Sequence, residues 1–307
     1  MLPVRVMGVL VVLLLASCQQ YPEAPLDPPV PSRSVTHVMG TTEVPVKPQR
    51  VVVLDITPLD AVVALGVDPI GTISYSRPPD YLGDKVSGLE VVGLFNQPSL
   101  EKILRLKPDL ILGSKSVSEN LYPKLSRIAP TVFIEGSGSG WDWKNNFRIS
   151  ADALNQSEQA EVLLADYQQQ LETVKTSLNP PPGSLTASVV LDGRFGFITH
   201  TSGSFSGSIL QEIGFKRNPI QSDDSQSFIR ISREDLDSPD GDVLFLIYYP
   251  GTTAKEAFVS DRLWSQLDAV QKDAVCEVSG ETWAAGRSIL AAQEVLKDIK
   301  TCIDQIN

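Results

Sequence analysis

The chain has 307 residues, is 42% hydrophobic and carries a formal net charge of −11. A chain of this length can bury two hydrophobic cores, whereas an acidic chain lacks the basic surface that nucleic-acid binding requires. Because the overall field repels anions, an anionic ligand must meet a local group of cations. The two histidines, His37 and His200, are far apart in the sequence, so we predict no directly bound metal.

The first residues have the pattern of an export signal. Arg5 precedes an apolar run, Val6 to Ala16, that is too short to span a bilayer. The run ends in Leu15-Ala16-Ser17-Cys18, which resembles the lipobox of lipoproteins, so Cys18 is predicted to carry a lipid. We predict a signal peptide at 1–17 and a proline-rich tether at 18–34. The alternative is an ordinary signal peptide with a chance cysteine.

The first half of the folded chain alternates strand and helix patterns. A hairpin is predicted from Thr36 to Val46, and the β-branched run at 50–55 predicts a parallel strand. Thr57 and Pro58 then predict the N-cap and the first residue of a helix. This order of elements is typical of an α/β fold.

The second half repeats the same order of elements. Strands are predicted at 188–191 and 242–247, with a helix at 207–213 between them. Before them, the apolar stripe within 160–178 predicts one long amphipathic helix, which Asn179-Pro-Pro-Pro-Gly183 ends. We therefore predict two doubly wound α/β lobes joined by one long backbone helix, with the N-terminal lobe at 35–156, the helix at 157–179 and the C-terminal lobe at 180–307.

One segment points to a particular family, whereas the alternation of strands and helices indicates only a fold class. Ser99-Leu-Glu-Lys-Ile-Leu-Arg-Leu-Lys-Pro-Asp-Leu-Ile-Leu-Gly113 predicts a short helix capped by Ser99, a proline stop and a buried strand. With residues 91–98 before it, the segment closely resembles the N-lobe signature of periplasmic binding proteins that serve siderophore and cobalamin transporters. The resemblance covers nearly the whole mature chain. It implies two lobes whose helical backbone limits bending to small angles.

This resemblance implies the lipid-anchored substrate-binding protein of an ABC importer, located in the cell envelope outside the cytoplasm. Such a protein captures a ferric siderophore between its lobes and delivers it to a permease dimer with its ATPase. The iron travels within its chelate, so no cofactor is expected, and we expect a monomer. The alternatives are a cobalamin- or heme-binding protein of the same fold, or a sensory or adhesion lipoprotein.

The resemblance also assigns docking residues. In this family, one glutamate of each lobe engages arginines on the two permease subunits. Glu101 and Glu234 match that pattern, since each lies two residues beyond a serine at the start of a predicted helix. The alternative is that each glutamate only complements a helix dipole.

An anionic chelate needs Arg or Lys donors and aromatic walls at the carboxyl ends of strands. We expect Arg194 and Lys115 to face one another from opposite lobes, although loop charges and packing aromatics also occur at such positions. Phe95 stands where hydroxamate-binding relatives carry a basic residue, which leaves the siderophore type open. The candidate ligand residues at predicted strand ends are Arg77, Phe95, Lys115, Trp141, Arg194, Tyr248 and Trp283.

Other chemistry is less well supported. Gly203-Ser-Phe-Ser-Gly207 lacks the G-x-S-x-G spacing of a hydrolase, so no enzymatic activity is expected. Adjacent Tyr248 and Tyr249 leave open the binding of bare ferric iron, but strand neighbours point to opposite faces, and one tyrosine is expected in the core. Cys276 and Cys302 predict a disulfide, with two buried thiols as the alternative.

Overall fold

The computed structural model describes residues 31–74, 79–136, 142–193, 196–249 and 262–306. The predicted signal peptide and Cys18 lie outside these residues.

Strands β1 (Ser32–His37) and β2 (Gly40–Pro45) form an antiparallel hairpin. The tether prediction therefore extended too far, because Ser32 to Ser34 already pair with the second strand of this hairpin.

The first lobe is built on a six-stranded sheet in the order β6-β5-β4-β3-β7-β8. All neighbouring pairs are parallel except the short hairpin between β5 and β6. Parallel strands covered on both faces explain the continuous apolar runs in the sequence. The strands are β3 (Val51–Val53), β4 (Gly71–Ser74), β5 (Glu90–Leu94), β6 (Gln97–Pro98), β7 (Leu110–Ser114) and β8 (Thr131–Ile134).

Two helices of this lobe begin at a residue whose side chain caps the first turn. Ser99 accepts a hydrogen bond from the Lys102 amide and caps its helix, as predicted. The N-cap of the first helix is Asp55 and not Thr57, because the Asp55 carboxylate accepts the Ile56 amide at 2.7 Å. The helices are α1 (Ile56–Ala64), α2 (Leu100–Leu106), α3 (Lys115–Ser118), α4 (Tyr122–Leu125) and α5 (Trp143–Ala153).

Helix α6 (Ser157–Ser177) connects this lobe to a second sheet in the order β12-β10-β9-β13-β14, with β11 also paired to β9. This sheet is mixed, since β10 runs antiparallel to both β9 and β12. Strands β9, β13 and β14 are parallel, and the short β11 is parallel to β9. The strands are β9 (Thr186–Gly193), β10 (Gly196–His200), β11 (Lys216–Arg217), β12 (Phe228–Ile231), β13 (Val243–Tyr248) and β14 (Val275–Ser279).

The second lobe has three described α-helices: α7 (Phe205–Ile213), α8 (Asp268–Gln271) and the C-terminal α9 (Ile289–Gln305). A π-helical turn, Glu281–Gly286, precedes α9. The residues around Glu234, predicted as a helix equivalent to α2, form a single 3-10 turn, Arg233–Asp235. The disulfide between Cys276 on β14 and Cys302 on α9 fastens the last helix to the sheet, with a Cα–Cα distance of 5.8 Å.

One apolar core runs along the helices of both lobes. It includes Leu59 of α1, Phe147 of α5, Leu171 of α6, Ile209 of α7 and Leu296 of α9. Burying each such side chain contributes about 1.5–3 kcal/mol, so a large separation of the lobes would be costly. Within the described part of the chain, no helix is long and apolar enough to cross a membrane.

Candidate functional site

The carboxyl ends of the parallel strands place several predicted residues at one edge of each sheet. Three candidates, Arg77, Trp141 and Arg194, lie outside the described residues, so their roles stay predictions. The predicted pairing of Arg194 with Lys115 across the lobes is untested for the same reason. Described side chains at these edges therefore define the site.

On the first lobe, Lys115 follows strand β7 and begins α3. Its Nζ lies 3.8 Å from Glu135 Oε1, at the end of the neighbouring strand, and both side chains are more than a third exposed. Beside this ion pair, the Ser116 hydroxyl donates to the carbonyl oxygen of Gly136 at 2.6 Å. The pairing of β7 with β8 brings these residues together. Lys115 is thus an accessible cation at this edge.

Arg287 reaches the same point from the second lobe. It directly follows the π-helical turn, and its Nη1 donates to the Gly136 carbonyl oxygen at 3.1 Å. Its Nε donates to Ala285 O at 3.3 Å, which holds the guanidinium over its own turn. The sequence analysis missed Arg287, although the sequence Gly286-Arg287-Ser288 just before the last helix was a usable signal. Cations from the two lobes therefore meet at Glu135 and Gly136.

Trp283 does not line an open cleft, contrary to the prediction. Its side chain is 0% exposed and stacks on Phe245, with ring centroids 4.7 Å apart. Its Nε1 donates to Asp298 Oδ2 at 2.8 Å. Burial raises the pKa of Asp298 to about 6, against the effect of this hydrogen bond. The π-helical turn directs the indole inward, where its large apolar surface is buried and its N–H has a hydrogen-bond acceptor.

A cavity of about 220 Å³ opens beside Arg287 in the second lobe. Phe205, Phe228 and Ala284 supply apolar lining, His200 and Ser204 supply polar lining, and Trp283 borders the cavity without exposed surface. Phe228 is 51% exposed, and the sequence analysis did not select it. The cavity thus combines one cation with aromatic walls.

His200 is a neutral group in this cavity. Burial, together with the positive charge of Arg217, lowers its pKa to about 4. Its Nδ1 lies 3.1 Å from the Ser206 hydroxyl oxygen. Because the imidazole is uncharged at neutral pH, the described positive charge of the cavity comes from Arg287.

The tyrosine pair lies at the end of β13. Tyr248 and Tyr249 are both half-buried, so neither is the core residue that strand alternation predicted. The chain leaves the strand after Tyr248, and the Tyr249 ring packs closely against Gly280. Burial and the nearby Glu281 raise the pKa of Tyr249, whereas Arg287 lowers it. A protonated phenol near Arg287 can donate a hydrogen bond to an anionic ligand.

The remaining predicted residues lie on the surface. Phe95 is 42% exposed in the turn between β5 and β6. Glu101 is exposed on α2 and pairs with Arg105 at 3.0 Å, whereas Glu234 is exposed on its 3-10 turn. Among the described residues, no group of three or more His, Cys, Asp and Glu side chains could hold a metal ion.

Two lobes on separate sheets, a connecting helix and a cation-bearing edge between them define a bilobal binding protein. Residues 51–282 match the family described as periplasmic binding protein, and the chain belongs to this family. The resemblance seen in the sequence is thereby confirmed.

Relatives and solved structures agree with this assignment. The chain is 37% identical to a protein named as a probable siderophore-binding lipoprotein, YfiY of Bacillus subtilis, covering 88% of this chain and 87% of YfiY. It is 32% identical to the Fe(3+)-citrate-binding protein YfmC of the same organism, covering 87% and 85%. The structure of Staphylococcus aureus SirA complexed with staphyloferrin B matches with a TM-score of 0.77 at 28% identity, covering 89% and 98%.

Proposed function

We propose that this chain is the substrate-binding protein of an ABC importer and that it captures a ferric siderophore between its lobes. One observation carries the proposal: Lys115 of the first lobe and Arg287 of the second lie against the adjacent residues Glu135 and Gly136. An anionic chelate placed there would contact both lobes at once. Charge-assisted hydrogen bonds of this kind contribute about 1.5–3 kcal/mol each.

The two cations of the site and the aromatic side chains that line it suggest the class of ligand. The protein as a whole is acidic, so two cations at one edge select a chelate with exposed carboxylate or phenolate oxygens. Tyr249 and the aromatic side chain of Phe228 suit the planar or apolar parts of such a chelate. Relatives named for Fe(3+)-citrate and Fe(3+)-dicitrate support ferric citrate as the first ligand to test.

The other parts of the proposal concern attachment and delivery. A lipid on Cys18 would hold the protein at a membrane surface outside the cytoplasm, with the residues before Ser32 as its tether. Glu101 and Glu234 are exposed acids on opposite lobes, and we propose that they orient the protein on a permease dimer. The core shared by both lobes supports delivery by a small bending motion.

Titration of the purified protein with defined ligands tests the proposal. Quenching of tryptophan fluorescence should report tight binding of ferric citrate or another ferric chelate, and gallium in place of iron should preserve the affinity. Cobalamin, heme and free ferric ion are the comparison ligands. Binding of cobalamin or heme alone would favour the alternative ligand class, and binding of none of them would favour a sensory or adhesion role.

A further inference from the structure

Asp60, on helix α1 of the first lobe, accepts two hydrogen bonds from the start of helix α9. Leu290 N lies 3.0 Å from its Oδ1, and Ala291 N lies 2.9 Å from its Oδ2. The carboxylate is completely buried. The first-turn amides of a helix have no partner within the helix. A side chain of the first lobe therefore caps a helix at the opposite end of the chain.

Helix α9 does not supply this cap itself. Its N-cap residue, Ser288, has an extended backbone, and its side chain makes no capping hydrogen bond. Serine in this position commonly accepts an amide of the first turn. Here the amides of Leu290 and Ala291 donate to Asp60 instead. The position at which α9 begins is thus defined by a contact with the other lobe.

Arg287 lies directly before Ser288, the N-cap of α9. Arg287 has a left-handed backbone with φ of 47°, which is unfavourable for a residue other than glycine and persists only where neighbouring structure holds it. On one side, Trp283 is held by Phe245 and Asp298. On the other side, Asp60 holds Leu290 and Ala291. The Arg287 backbone is fixed between these two attachments.

We infer that Asp60 is a positioning residue of the ligand site: by fixing the start of α9, it places the Arg287 guanidinium at the lobe boundary. The inference rests on the proposed function of Arg287 as a ligand cation. Asp60 also ties the lobes together at this point, since α1 belongs to the first lobe, whereas α9 and the π-helical turn before Arg287 belong to the second.

A matched control exists within the first lobe. The Asp109 carboxylate also accepts two backbone amides, those of Gln49 and Arg50, each at 2.8 Å. These contacts do not reach the second lobe. Asp109→Asn therefore removes the same kind of interaction without touching α9 or Arg287.

Hydrogen exchange tests the placement without any ligand. Burial raises the pKa of Asp60 to about 7, so the measurement is made at pH 8, where the carboxylate is charged. In Asp60→Asn the amide group replaces one acceptor with a donor, and residues 281–291 should exchange faster than in the wild type. The same residues should exchange at the wild-type rate in Asp109→Asn. Unchanged exchange in Asp60→Asn would overturn the inference.

Binding of ferric citrate then tests whether Asp60 acts through Arg287. Asp60→Asn should weaken binding about 10-fold, whereas it should cause no further loss in a protein that already carries Arg287→Ala. Two independent, additive losses would show that Asp60 acts separately from Arg287 and would contradict the inference. A general loss of stability would weaken binding whether or not Arg287 is present, so it would not produce a loss that disappears in the Arg287→Ala protein.

The test still decides if the Asp60 variant does not fold or if the wild type does not bind ferric citrate. If Asp60→Asn does not fold, Asp60→Ser, whose hydroxyl can accept one amide, replaces it in both measurements. If the wild type binds no ferric citrate, the proposed ligand is wrong, and the exchange of residues 281–291 alone decides whether Asp60 holds this turn.

Discussion

Lys144 on α5 and Glu212 on α7 form an ion pair that joins the two lobes. The Lys144 ammonium lies 2.8 and 2.9 Å from the two carboxylate oxygens of Glu212, and the side chains are 30% and 27% exposed. The same ammonium lies 5.3 Å from the centroid of the Trp143 ring, a cation–π distance. Trp143 in turn packs edge-on against Phe205 of the second lobe. Charge and aromatic packing therefore connect the lobes at their helical layer.

Lys144→Met should lower the free energy of unfolding by about 1–2 kcal/mol, because it removes the cation that pairs with the half-buried Glu212. Urea unfolding monitored by circular dichroism measures this change. Lys297→Met is the control, since Lys297 pairs with Glu294 on an exposed helix surface, and its loss should change stability by less than about 0.5 kcal/mol. Equal effects of the two variants would contradict a role for the inter-lobe pair.

Loss of the disulfide between Cys276 and Cys302 should destabilise the protein by about 3 kcal/mol, because the bond restricts the unfolded chain. The double variant Cys276→Ser, Cys302→Ser should therefore show a lower melting temperature than the wild type under oxidising conditions. In excess reductant the two proteins should melt at similar temperatures. A double variant as stable as the oxidised wild type would show that the bond contributes little.

Affinity for an anionic chelate should depend on both cations of the site. Lys115→Ala and Arg287→Ala should each weaken binding of ferric citrate by roughly 10- to 150-fold, the equivalent of one charge-assisted hydrogen bond. Isothermal titration calorimetry gives the dissociation constants. Lys175→Ala, on the surface of α6, is the control and should leave them unchanged. Wild-type affinity in both site variants would place the ligand elsewhere.

The pH dependence of stability should contain two opposing contributions. Burial raises the pKa of Asp60 from 3.8 to about 7, so this group adds stability as the pH falls from 7 towards 4. Burial lowers the pKa of His200 from 6.5 to about 4, so this group removes stability as the pH falls from 6.5 towards 4. The two contributions partly cancel in the wild type.

Single variants should separate these contributions. Between pH 6.5 and 4, Asp60→Asn should lose more stability than the wild type, and His200→Gln should lose less. Urea unfolding at half-unit pH intervals measures both curves. Parallel curves for all three proteins would show that neither group has the assigned pKa.

Iron uptake should depend on the exposed glutamates even though folding and binding do not. A double variant, Glu101→Lys with Glu234→Lys, should abolish uptake, because the reversed charges would repel the arginines that we propose on the permease. Its ligand affinity and melting temperature should stay near the wild-type values. Glu172→Lys is the control: it reverses a charge on the surface of α6, where Glu172 pairs with Lys175 of the same helix, and it should leave uptake intact. Normal uptake by the double variant would favour the helix-dipole explanation.

The sequence by itself determined the parts of this protein that depend on neighbouring residues. The β-branched run at Val51–Val53, the Ser99 cap and the apolar stripe of α6 each depend on local spacing, and each appears in the structure. The family also followed from a contiguous segment, because its signature lies within residues 91–113.

Only the tertiary structure decided the parts that depend on distant contacts. Trp283 carries no local signal of burial, yet Phe245 and Asp298 enclose it. Arg287 became a site residue because the fold brings it to Gly136, 151 positions away in the sequence. Asp60 caps helix α9 by accepting the amide of Leu290, 230 residues later in the sequence. Periodicity reports which face of an element is apolar, but it cannot report which elements meet, so these contacts follow only from the packing of the two lobes.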